Sequence, residues 1–243
     1  MRLWKVLSAA VFAVFALSVA SASAGDRNWS GFSAGVVGSG GLFKVEQEDY
    51  WCWWACNAPT LEEWHASIGG QAAYTMQRGN FVFGLVGDIS TGFENETSAH
   101  WSSGNSRALY SGEWNYYATI RARGGLALGD ALLFGSAGIA IVNVDYKAKG
   151  VSDFANDGFA CSSTDVDCAS YSDTNIGFAA GVGLAYPVSD NLNLTFEYLL
   201  IELPSYKDRY DTDEENDPDD TDDYVNWTSS AQLARVALTW QFH

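Results

Sequence analysis

Four cysteines and one acidic run are the residues best suited to chemistry. Cys52 and Cys56 lie within "YWCWWAC", and Cys161 and Cys168 lie in a later segment. An even number of cysteines in an exported chain favours disulfides. Three connectivities exist; local pairing of Cys52 with Cys56 and of Cys161 with Cys168 is the simplest. A four-cysteine zinc site is the rival, although zinc thiolates are commonly spaced C-x2-C. The acidic run, "DRYDTDEENDPDDTDDY", holds ten acids between Asp208 and Asp223. Asp211, Asp213 and Glu215 have the 1, 3, 5 spacing of a calcium loop, with Asp222 at position 12. Asn216 stands where the glycine is required, and position 12 is normally Glu. The run reads first as a solvated, self-repelling segment, and secondly as a loose Ca2+ or Mg2+ site. No other cofactor is indicated. His65 and His100 lie in or near long connections, but no nucleophile–base motif, HExxH or spaced histidine set accompanies them. The chain is not expected to be an enzyme.

The elements that position these residues begin after a leader. Arg2 and Lys5, the apolar run Val6–Val19 and the small-residue Ala22-Ser23-Ala24 read as a secretory signal peptide spanning 1–24. One domain, 25–243, remains. The whole chain carries a net charge of −17, which excludes nucleic-acid binding through backbone charge. The best later apolar run, Ala131–Val144, is interrupted by Gly135, Ser136, Gly138 and Asn143, too short for a membrane helix of roughly 20 residues. Entry into a membrane would require a closed barrel.

Period-two alternation supplies one. In "WNYYATIRARGGL", Trp114, Tyr116, Ala118, Ile120, Ala122, Gly124 and Leu126 share one face, and Asn115, Tyr117, Thr119, Arg121, Arg123 and Gly125 the other. "NLNLTFEYLL" and the C-terminal segment ending at Phe242 alternate likewise. Eight strands are expected, at about Trp29–Gly38, Ala66–Gln77, Phe81–Phe93, Glu113–Leu128, Ala131–Tyr146, Asn175–Tyr186, Asn191–Leu203 and Trp227–Phe242. Tight-turn sequences, "QRGN", "LGDA" and "PVSDN", alternate with long connections at about 39–65, 94–112, 147–174 and 204–226. That is the plan of an eight-stranded antiparallel transmembrane β-barrel with short periplasmic turns and long extracellular loops. The long connections hold 22 of the 30 acids.

The segments "WSGFSAGVVG", "GGQAAYTMQRGNFVFGLVGDI", "IRARGGLALGD" and "AAGVGLAYPVSDNLNLTFEYLLIEL", with the aromatic last strand, resemble the opacity-type, porin-like outer-membrane β-barrel proteins of alphaproteobacteria. Such chains usually finish on Phe; here His243 follows Phe242. The resemblance implies outer-membrane localisation and a partnership with lipid.

Asp88, Arg121, Arg123, Glu197 and Arg235 fall on inward faces. An eight-strand bore is just wide enough to be filled by side chains, so these charges must pair. Arg121 and Arg123 are read as partners of Glu197 and Asp88, forming a structural plug rather than a conduction path. Trp29, Trp114, Trp227 and Trp240 are candidates for interfacial girdles. Trp51, Trp53 and Trp54 fall in the first long loop, as a disulfide-pinned cap or, alternatively, an exposed contact patch. The leading expectation is a structural and surface-interaction role in the envelope. A small-solute pore is the runner-up, and adhesion or external ligand binding through the acidic and Trp-rich loops follows. Lipopolysaccharide, itself anionic and cation-bridged, is an expected neighbour. If the acidic run bridges to it through divalent ions, titration calorimetry of the isolated protein with Ca2+ or Mg2+ gives a binding heat; no heat removes the cation reading.

Overall fold

The computed structural model describes residues 27–49, 60–92, 97–103, 106–150, 168–209 and 224–242. Among these described residues, ten antiparallel strands form one sheet. They are β1 (Gly31–Asp49), β2 (Leu61–Arg78), β3 (Phe81–Gly92), β4 (Thr97–Ser103), β5 (Ser106–Leu128), β6 (Ala131–Gly150), β7 (Cys168–Pro187), β8 (Leu192–Glu202), β9 (Tyr206–Arg209) and β10 (Tyr224–Phe242). Eight of them close the barrel in the order β1-β2-β3-β5-β6-β7-β8-β10, with β10 returning to β1. β4 continues β3 along β5, and β9 continues β8 along β10.

Stepping sideways from Gly31 through Thr75, Gly84, Arg123, Ser136, Gly181, Leu199 and Leu233 returns to β1 at Gly41. The stagger is ten residues, from 31 to 41. With strands about 4.8 Å apart and about 3.3 Å of rise per residue, that stagger tilts the strands by roughly 40°.

The long connections differ from the sequence expectation. β1 runs on to Asp49, β5 starts at Ser106 and β7 at Cys168. Much of what reads as loop is hairpin, because the ladders continue past the membrane. Within the membrane section, side chains obey apolar-out, polar-in. Phe81, Leu85, Ile89, Ile120, Ile176 and Phe178 are exposed outward, each by more than half. Above it the rule inverts. On β6, Val142, Val144 and Tyr146 are buried inside, while Asn143, Asp145 and Lys147 face out. Water, not lipid, surrounds that part, so the apolar set turns inward.

On β5 the inversion is made by a bulge between Trp114 and Tyr116. It turns Trp114 into the barrel, where its Nε1 donates to Ser229 Oγ at 2.9 Å and its ring meets Phe43 edge-on at 5.1 Å. The girdle assignment of Trp114 is therefore corrected. Trp29 and Trp227 are corrected too: both are buried inside, Trp227 stacked on Tyr146 at 5.1 Å. Trp240 does face outward, near Phe32 and Phe242, whose rings are 5.7 Å apart. Trp64, 65% exposed near the other end, has the girdle position that strand-end counting overlooks.

Two of the three periplasmic turns have two residues and start with a glycine at positive φ, Gly79 at 59° and Gly129 at 60°. A side chain there meets the left-handed penalty of about 1–2 kcal/mol. Gly79→Val or Gly129→Val should lower stability by that amount in urea unfolding from lipid vesicles; an unchanged midpoint contradicts the turn geometry.

Candidate functional site

Halfway down the lumen, four strands each contribute one charge. Period-two alternation points Asp88 of β3, Arg121 of β5, Glu197 of β8 and Arg235 of β10 inward, and all four side chains are buried. The register brings them level: Asp88 stands opposite Thr119, and Glu197 opposite Arg235. Arg121 reaches across the bore. Its Nη1 donates to Glu197 Oε1 at 2.5 Å, and its Nη2 to Asp88 Oδ1 and Glu197 Oε2, each at 3.2 Å. Arg235 closes the ring, with Nη1 on Glu197 Oε2 at 3.2 Å and Nη2 on Asp88 Oδ1. Each carboxylate thus holds both guanidiniums.

Neutral neighbours complete the network. Thr119 Oγ1 donates to Asp88 Oδ2 at 2.6 Å and accepts from Arg121 Nε at 2.9 Å. Ser136 Oγ accepts from Arg121 Nη1 at 2.9 Å and donates to Glu197 Oε1 at 3.1 Å. Gly181 makes the space: a Cβ there would lie 2.9 Å from Glu197 Oε1, 3.0 Å from Ser136 Oγ and 3.2 Å from Arg121 Nη1. Thr119, Ser136 and Gly181 are missed by a search for charges. Their inward parity was the only sequence signal.

Arg123 departs from the expected pairing. It is buried, but Arg235 occupies the second cationic place in the ring. Its guanidinium lies over Phe134, 4.1 Å from the ring centroid, and Nε and Nη2 have no hydrogen-bond partner in the protein.

Above the ring, Tyr117 Oη bonds Ser39 Oγ at 2.9 Å and Ser67 Oγ at 3.2 Å. An apolar layer follows, containing Val142, Tyr146, Leu199, Ile201, Trp227 and Leu233. The outer half of the lumen is thus apolar. Outside, Asn115 Nδ2 donates to Asn143 Oδ1 at 2.7 Å and to Asp145 Oδ2 at 2.8 Å. Partial burial opposes ionisation of Asp145. Hydrogen bonds with Ser172 and Asn115 and the charge of Lys147 outweigh it and hold the carboxyl below its ordinary range.

His65 meets Phe43 edge-on at 5.0 Å. Cys52, Cys56, Cys161, Trp51, Trp53, Trp54, Asp211, Asp213, Glu215 and Asp222 lie outside the described residues, as does the 1–24 leader. Cys168 opens β7, and His100 lies in β4. Among the described residues, no cluster of three or more metal-ligating side chains occurs.

A closed antiparallel barrel with an apolar outer belt and a charged, filled interior defines a membrane-spanning β-barrel. The chain belongs to the outer membrane protein β-barrel domain family, whose model matches residues 8–232, and its place is the bacterial outer membrane. A "22 kDa outer membrane protein" of Rhizobium leguminosarum bv. viciae is 32% identical over 148 residues. That match takes in 60% of this chain and 56% of the relative, so the chain spans little more than half of that protein's length. Among solved structures, Ail, the attachment invasion locus protein of Yersinia pestis, is 13% identical at TM-score 0.38, with 85% of this chain and 99% of that one covered. Neisserial surface protein A is 12% identical at TM-score 0.41, covering 89% and 100%. The outer membrane protease OmpT of Escherichia coli is 11% identical at TM-score 0.41, covering 87% and 95%.

Breaking a buried ion pair from one side leaves an uncompensated charge and costs about 3–5 kcal/mol. Glu197→Gln should therefore destabilise the barrel by about that much. Removing Arg121 and Glu197 together, as Arg121→Met with Glu197→Leu, leaves the Asp88–Arg235 pair intact and should cost less. Heat-modifiable gel mobility reads both; a single variant as stable as wild type contradicts the ring's role.

Proposed function

We propose that this protein is a closed structural barrel of the outer membrane that presents its extracellular hairpins to the surroundings. The observation that carries the reading is the lumen: the four-charge ring spans it, and an apolar layer lies above. A hydrated ion meeting both would have to displace two shared carboxylates and then cross unwetted side chains. The barrel anchors, and the surface beyond the membrane does the interacting.

That surface includes the strand extensions and the connections carrying Cys52, Cys56, Cys161, Cys168, Trp51, Trp53, Trp54 and the 208–223 acids. Disulfide-pinned loops, contact with lipopolysaccharide through divalent ions, and an external surface or small-molecule ligand belong to this reading. The order of the strand motifs supports the opacity-type grouping within the family.

Planar-bilayer recording separates this reading from a small-solute pore. Purified protein should give no stable openings. Stable openings whose ion selectivity changes on Arg121→Ala or Arg123→Ala would replace the structural reading with a pore.

A further inference from the structure

Below the ring, toward the periplasm, the described residues give the lumen positive charge without a matching acid. The ring itself is neutral, with two arginines shared between two carboxylates. Arg123 adds one charge, and neither its Nε nor its Nη2 meets a protein acceptor. Arg27 enters the same end. Its guanidinium donates to neutral oxygens, Asn193 Oδ1 at 2.9 Å and Gln241 Oε1 at 3.3 Å, while its Nε has no partner. Guanidiniums stay protonated in proteins, so neutralisation by proton loss is closed to them. A buried cation needs a counter-charge, because isolated buried charge is among the costliest arrangements a protein can hold.

Arg123 lines a cavity of about 30 Å³. The other polar lining residues are Ser33, Gln71, Thr75, Asn193, Thr195, Thr239 and Gln241, none of them acidic. One water needs about 10–15 Å³, so the space suits one halide-sized ion or about two waters.

We propose that this cavity is a binding site for a small monovalent anion of the halide class, chloride being the natural occupant, with Arg123 as its counter-charge. The Ser33, Thr195 and Thr239 hydroxyls and the Gln71 amide complete its shell, whereas Thr75 and Gln241 spend their donors on backbone oxygens. Arg123 supplies N–H donors directly and Arg27 adds long-range attraction from the periplasmic mouth. The anion makes the lower lumen neutral as the ring makes the middle neutral. The inference is independent of whether the barrel conducts, since it rests on the charge and size of the cavity.

Crystals of the mature chain grown in bromide test it. An anomalous peak in the cavity at hydrogen-bonding distance from Arg123 Nε or Nη2 is expected; water alone at that position overturns the site. In detergent, the heat-modifiability midpoint of the wild-type protein should be higher by a few degrees in chloride than in gluconate at equal ionic strength, gluconate being too large to enter. Equal midpoints overturn the proposal. Arg123→Met should abolish the chloride dependence, and a variant that keeps it also overturns the assignment to Arg123. If that variant fails to fold, the bromide peak and the wild-type salt comparison still decide.

Discussion

A strand edge left open in hydrocarbon exposes a row of N–H and C=O groups, each costing several kcal/mol. β1 and β10 remove that edge by pairing continuously from Phe32 with Phe242 to Asp49 with Val225. Everything else in the molecule depends on that closure. Eight strands with a ten-residue stagger set the bore, and the bore leaves room for side chains only. Whatever faces inward must therefore pack or pair.

Two solutions are stacked along one lumen. At mid-height, charges from β3, β5, β8 and β10 share oxygens and guanidinium nitrogens, with Thr119 and Ser136 taking what remains. Toward the outside, where the barrel rises above the lipid, β1, β6, β8 and β10 bury Val, Ile, Leu and Trp side chains as a soluble barrel would. One sheet thus serves two solvents. The bulge at Trp114/Tyr116 helps to change the phase of the pattern between them.

Much of this was legible in sequence because a strand's two faces are fixed by parity alone. The alternation in 81–93, 114–126, 191–200 and 231–242 gives the inward set, including Asp88, Arg121, Glu197 and Arg235. Parity also failed in identifiable places. It cannot see a bulge, so Trp114 was assigned to the wrong face. Nearness to a strand end does not give direction, so it places Trp29 and Trp227 in the girdles when both are buried inside. It gives no registers, so Arg123 and Arg235 were not told apart as ring members. Gly181 carries no chemical signature, and only the register shows that it leaves room for Glu197 and Arg121. The Asn143, Asp145 and Lys147 series on β6 did contain the inversion, as polar residues on the face that is apolar lower down.

The ring sits in a packed, closed interior rather than a wet channel. Hydrogen exchange of the Arg121 and Arg235 guanidinium protons, followed by 15N NMR in micelles, reads that directly. Protected, slowly exchanging Nη protons with distinct resonances are the predicted result. Exchange as fast as that of a solvent-exposed arginine would show water running through the lumen and contradict the closed barrel.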